Sequence, residues 1–103
     1  MILNDAWLPA LQNAILNMKV NSSILGVKIS HETADYEKLI GDEPILLATA
    51  DGGAKIKVYH GDARKLDRVI KEADICLIDT FPRVKTDDFK TVCRDIAKRT
   101  YVI

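Results

Sequence analysis

The sequence lacks the short motifs that identify several common kinds of functional site. It contains no C-x-x-C pair, no paired Cys and His spacing, no G-x-G and no P-loop. We therefore expect no zinc or other metal site, no glycine-rich phosphate cradle and no cofactor. The G-x-S-x-G motif of serine hydrolases is also missing, so a serine nucleophile of that type has no support.

Long apolar runs are absent as well. No stretch approaches the roughly 20 residues that a membrane-spanning helix needs. Asn4 and Asp5 stand where a secretory signal would carry basic residues, so we expect a cytoplasmic protein.

The two cysteines, Cys76 and Cys93, fall in apolar faces. We expect them to be buried reduced thiols, because disulfides are unusual in a reducing compartment.

The chain also has no net charge, but its charges are unevenly spread. Residues 1–54 hold three lysines against seven acidic residues. Residues 55–103 hold twelve lysines and arginines against eight acidic residues. Such an asymmetry marks either a surface for an anionic partner or a dimer that pairs the two halves.

What remains is the composition of an ordinary folded protein. The 103 residues are 48% hydrophobic and 29% charged, which is typical of globular chains. This length favours a single domain over residues 1–103. A domain of this size buries a real core but leaves little material for a deep substrate cleft.

Helical and strand patterns alternate along the chain. In the first part of the chain they predict a helix from the Asn4–Asp5 cap to about residue 19, a strand over 23–30, a short helix over 33–40 and two strands over 44–50 and 55–60. In the remainder they predict a helix from 62 to 73, a strand over 74–81, a helix from Thr86 and a final strand over 100–103. The sequence Asp51-Gly52-Gly53 favours a hairpin between the two central strands.

This α-β-α-β-β-α-β-α-β order predicts the fold class. Strands that alternate with helices favour a single small layered α/β domain, Rossmann-like, with helices packed on its sheet. The last three strands should be parallel, with right-handed crossovers. The hairpin then makes the sheet mixed but mostly parallel.

Two acidic residues end successive predicted strands. Asp62 follows the strand that ends at His60, and Asp79 ends the next strand. If the two strands are neighbours, both carboxylates lie at one sheet edge, where open parallel sheets bind ligands. His60 and Asp62 could also form an acid–base couple. The alternative is structural: Asp62 caps a helix, and Asp79 accepts backbone hydrogen bonds in a turn.

The same stretch resembles a known family. "VYHGDARKL" followed by "ADICLIDTFP" looks like the second half of the Rossmann-type AdoMet-dependent methyltransferases. The resemblance covers residues 57–82 and implies that Asp62 lies near the adenine and Asp79 near the methyl acceptor. The family's glycine-rich first loop has no counterpart in this chain.

Basic residues recur on the two predicted C-terminal helices. The first of these helices carries Arg64, Arg68 and Lys71, and the last helix carries Lys90, Arg94 and Lys98 at a spacing of four. If both helices cover one face of the sheet, they form a basic surface for nucleic acid or an acidic protein. The alternative is that both are simply solvated helix faces.

Together, these patterns favour a small non-catalytic binding or regulatory module that acts through a protein partner or as a homo-oligomer. One alternative is a Rossmann-like domain or enzyme that binds a nucleotide or AdoMet near Asp62 and Asp79. A second alternative is nucleic-acid binding through the basic helices.

Overall fold

A computed structural model describes residues 1–36, 43–80 and 83–103, which contain six strands and three α-helices. The chain divides into two compact units, Met1–Asp62 and Ala63–Ile103. The expectation of one domain over the whole chain stays a prediction.

The first unit contains four strands and two helices among its described residues. In chain order they are β1 (Ile2–Asp5), α1 (Leu8–Val20), α2 (Ser22–Leu25), β2 (Lys28–Glu32), β3 (Leu46–Thr49) and β4 (Lys55–His60). The strand β1 lies where the sequence predicts only a helix cap. The predicted helix over 33–40 lies largely outside the described residues.

The four strands of this unit form one mixed sheet in the order β1-β4-β3-β2. β1 and β4 are parallel, whereas β3 is antiparallel to both β4 and β2. The predicted hairpin is confirmed, because β3 and β4 are joined by a 3₁₀ turn at Asp51–Gly53. Gly52 and Gly53 both have positive φ in this turn, a conformation that glycine adopts without steric cost.

The core of this unit lies between α1 and the sheet. α1 contributes Leu11, Ile15 and Met18, whose spacing places them on one helix face. They pack with Ile45, Leu46, Ala48, Ile56 and Val58. Trp7 directly precedes α1 and is exposed.

The prediction of a strand over 23–30 is wrong for the residues before Lys28. Residues Ser22–Leu25 are helical, and Gly26 ends this helix in the left-handed conformation with φ of 64°. The N–H of Val27 donates to the carbonyl of Ser22, which closes the helix end. The strand β2 therefore begins only at Lys28.

We expect Gly26→Ala to lower the free energy of unfolding by about 1–2 kcal/mol, because a left-handed residue with a Cβ is strained. A Cβ at Gly26 would also collide with the side chain of Asp51. Urea unfolding measures the loss. The matched control is Gly53→Ala, because Gly53 also has positive φ but has open space where a Cβ would lie. An equal or smaller loss at Gly26 would contradict the collision.

The second unit contains a parallel β-α-β arrangement. A 3₁₀ segment (Ala63–Arg68) is followed by β5 (Ala73–Ile78), α3 (Asp87–Ile96) and β6 (Ala97–Val102). β5 and β6 pair in parallel as a two-stranded sheet. The predicted helix that begins at Thr86 is confirmed, since Thr86 is the N-cap of α3. The helix predicted after Asp62 is wrong, because that segment forms a short 3₁₀ helix instead.

The predicted Rossmann-like, mostly parallel sheet is also wrong. One sheet is mixed, with a single parallel pairing, and the other has only two strands. The physical reason lies in β4, whose two edges are occupied by β1 and β3. The unpredicted strand β1 takes the place beside β4 that the sequence interpretation assigned to β5.

No helix within residues 1–36, 43–80 and 83–103 is long and apolar enough to cross a membrane.

Candidate functional site

The residues predicted to hold a ligand lie in different parts of the chain. His60 ends β4, Asp62 is the last residue of the first unit, and Asp79 follows β5 in the second unit. The strands β4 and β5 belong to different sheets. The premise that neighbouring strands bring Asp62 and Asp79 to one sheet edge is therefore wrong, and their role in ligand binding stays a prediction.

Polar side chains at the carboxyl end of the β1–β4 pair make hydrogen bonds that link the two chain segments. The Nε2 atom of His60 lies 3.2 Å from the carbonyl of Ala6. The amide of Asn4 donates to the carbonyls of Tyr59 and Gly61, each at 3.3 Å. These bonds cross from one strand to the other, so they give this edge a structural role. The Nδ1 atom of His60 is buried and makes no hydrogen bond.

No group of three or more His, Cys, Asp or Glu side chains in the described part of the chain could hold a metal ion.

The six basic residues predicted to form a surface all lie in the second unit. Arg64 and Arg68 are in the 3₁₀ segment, Lys71 precedes β5, Lys90 and Arg94 are on α3, and Lys98 is on β6. The helical stripe from Lys90 to Lys98 is wrong, because α3 ends at Ile96. The Lys98 ammonium lies 3.3 Å from the Asp74 carboxylate, across the β5–β6 ladder. Binding of nucleic acid stays a prediction.

A disulfide bond joins Cys76 of β5 to Cys93 of α3, with the two Cα atoms 5.9 Å apart. The expectation of two reduced thiols is therefore wrong. The sequence places the cysteines on successive elements, but only packing shows that the two side chains meet. The disulfide ties α3 to one face of the two-stranded sheet.

The opposite face of this sheet is apolar and exposed. Side chains alternate along a strand, so Ile75 and Leu77 point away from the face on which Cys76 meets α3. Ile75 is 55% exposed and Leu77 is 63% exposed. By contrast, Ile78 is buried. The apolar residues of β5 are therefore exposed on one face and packed on the other.

β6 supplies the other half of the exposed surface. Arg99 pairs with Ile75, and Tyr101 pairs with Leu77. The N–H of Ile103 donates to the carbonyl of Ile78 at 2.9 Å, so the ladder continues to the last residue. We name this surface the open face and define it by Ile75, Leu77, Arg99, Tyr101 and Ile103. All five residues are exposed.

The sequence did not predict the open face, and the reason is physical. The run "ICLI" is apolar at every position, which is typical of a strand buried on both faces. The pattern does not reveal that one helix covers one side of a two-stranded sheet. No local pattern in the sequence marked Ile75 and Leu77 as different from their apolar neighbours Cys76 and Ile78.

Comparison with known proteins found no family model, no curated protein and no solved structure that matches the chain. The structure itself therefore defines its class: an α/β chain of two units whose second unit presents an apolar sheet face.

Proposed function

We propose that the chain is a non-catalytic binding module that recognises a protein through the open face. The observation that carries this proposal is the exposure of Ile75 and Leu77 beside Tyr101. Single exposed apolar residues are ordinary. Here they are cross-strand and same-strand neighbours, so they form one continuous patch, which is the kind of surface that marks an interaction site.

The chemistry of the open face favours a protein over a small molecule. A sheet face offers a broad surface, whereas small-molecule sites are concave and enclose most of the ligand. Tyrosine and arginine are enriched in protein interfaces, and the open face contains one of each beside aliphatic side chains. Ile75 and Leu77 supply the apolar centre, and Arg99 supplies a charged group at its margin.

Site-specific photo-cross-linking tests this proposal. A photoreactive phenylalanine derivative replaces Leu77 on the open face, and in a control chain it replaces Ile24. Ile24 is apolar, 84% exposed and on α2 of the first unit. In cells that produce the chain, we expect position 77 to yield adducts with a second polypeptide and position 24 to yield few.

The adducts must also depend on the apolar surface. Adding Ile75→Lys to the chain that carries the probe at position 77 should suppress them, because a charge at the centre of an apolar interface opposes association. Adducts that form equally at both probe positions, or that persist with Ile75→Lys, would contradict the proposed function.

A further inference from the structure

We infer that the partner of the open face is a second copy of this chain, packed sheet against sheet with its strands antiparallel to those of the first. This inference rests on the proposed function and adds the identity and geometry of the partner. Its basis is the distribution of charge along the open face.

Two charged residues, Arg99 on the open face and Asp79 directly after β5, lie toward opposite ends of the apolar patch. Arg99 is opposite Ile75, one row before the central pair of Leu77 and Tyr101. Asp79 is exposed and directly follows β5, which ends at Ile78. The inferred dimer takes Asp79 as the next row of the same register, opposite Ile103, whose N–H donates to the carbonyl of Ile78. In that row the alternation of side chains directs Asp79 to the side of Leu77, so the apolar centre has a cation at one end and an anion at the other.

The arrangement is self-complementary about a two-fold axis that lies between the two packed sheets and runs perpendicular to their strands. Two open faces related by that axis bring the Arg99 end of each copy over the Asp79 end of the other, so two equivalent ion pairs flank the apolar centre. Such reciprocity is the defining property of a two-fold interface. A parallel arrangement would instead place both arginines at the same end, where they repel each other.

Two further features favour a second copy. The chain has no net charge, so long-range repulsion between copies is absent. In addition, two strands alone are marginally stable and need packing partners on their apolar surface. α3 covers one face and the disulfide holds it there. A second sheet would cover the other face and complete a sandwich of four strands and two helices.

Analytical ultracentrifugation of the full chain over a range of concentrations tests the inference. We expect a reversible dimer whose Kd rises at least about tenfold with Leu77→Lys, because the substitution buries a charge at the interface centre. The matched control is Ile24→Lys, which adds the same charge at an exposed position of the first unit and should leave the Kd unchanged. Circular dichroism establishes that each variant is folded.

A charge exchange tests the antiparallel geometry. Arg99→Asp and Asp79→Arg should each raise the Kd by about tenfold, because each replaces two attractive pairs with two repulsive ones. An equimolar mixture of the two variants should associate as tightly as the wild type, since every carboxylate then faces a guanidinium. A folding defect in either variant would not be rescued by mixing.

The outcomes separate this inference from the proposed function. A wild-type chain that stays monomeric, or a mixture that associates no better than each variant alone, overturns the antiparallel dimer. If position 77 nevertheless cross-links to a different protein in a manner that Ile75→Lys suppresses, the proposed function stands. If position 77 yields no specific adduct and the chain stays monomeric, both are overturned.

Discussion

Replacing Leu46 by alanine will lower the free energy of unfolding by about 3–4 kcal/mol, a large share of the stability of a chain of this length. Leu46 lies on β3, is completely buried and belongs to the core that α1 forms with the sheet. The substitution removes three buried carbon atoms and leaves a cavity. Packed neighbours fill such a cavity only in part, so the lost contacts are not recovered.

Leu16→Ala is the matched control for this prediction. Leu16 lies on α1 of the same unit and is more than half exposed. The same substitution there should change the free energy of unfolding by no more than about 0.5 kcal/mol. Chemical denaturation monitored by circular dichroism and by Trp7 fluorescence measures both variants. Equal losses for Leu46→Ala and Leu16→Ala would contradict the packing of α1 on the sheet.

Breaking the disulfide between Cys76 and Cys93 will destabilise the second unit by about 3 kcal/mol. The bond closes a loop with a sequence separation of 17, for which loss of chain entropy in the unfolded state predicts a stabilisation of this size. The unit spans only residues 63–103. Chains near 40 residues usually need a disulfide, a metal or association to stay folded, so its loss should unfold the unit at moderate temperature.

The disulfide prediction is tested by comparing the wild type with the variant Cys76→Ala/Cys93→Ala. We expect a reducing agent to lower the melting temperature of the wild type toward that of the variant, and to leave the variant unchanged. The variant therefore serves as the control for any general effect of the reductant. Thiol titration of the denatured wild type without reductant should find no free thiol. Two free thiols would contradict the bond.

The outcome of that titration also bears on localisation. A stable disulfide is typical of an oxidising compartment, whereas reduced thiols are typical of a reducing one. The two kinds of compartment imply opposite redox states for Cys76 and Cys93. Thiol titration of protein taken directly from the cell, with alkylation at lysis, determines which state occurs there.

Elements with strong local signals were predicted correctly from the sequence. The Asp51-Gly52-Gly53 turn between two apolar runs predicted the β3–β4 hairpin. Thr86, two acidic residues and an apolar stripe predicted α3. Each of these signals is contained within a few neighbouring residues, so it does not depend on how distant parts of the chain meet.

Elements that depend on distant contacts were predicted wrongly. "ILND" is too short to be recognised as a strand, yet β1 pairs with β4 more than 50 residues away. Gly26 was expected inside a strand because the residues around it are β-prone, whereas it ends a helix in the left-handed conformation. For β1, tertiary pairing outweighs the local propensity. The helix end at Gly26 is instead closed by a local hydrogen bond from Val27 to Ser22, and the sequence missed it because Ser22–Leu25 is a helix of only four residues.

For the open face, too, the sequence shows some features and only the tertiary structure shows the others. The sequence by itself determined which residues are apolar, that a strand, a helix and a second strand follow one another in the C-terminal part of the chain, and that Asp79 ends an apolar run. Only the tertiary structure decided that β5 pairs with β6 and that the disulfide holds α3 on one face. Burial is a property of packed surfaces rather than of single strands, and for that reason the exposed face could not be identified from the order of residues.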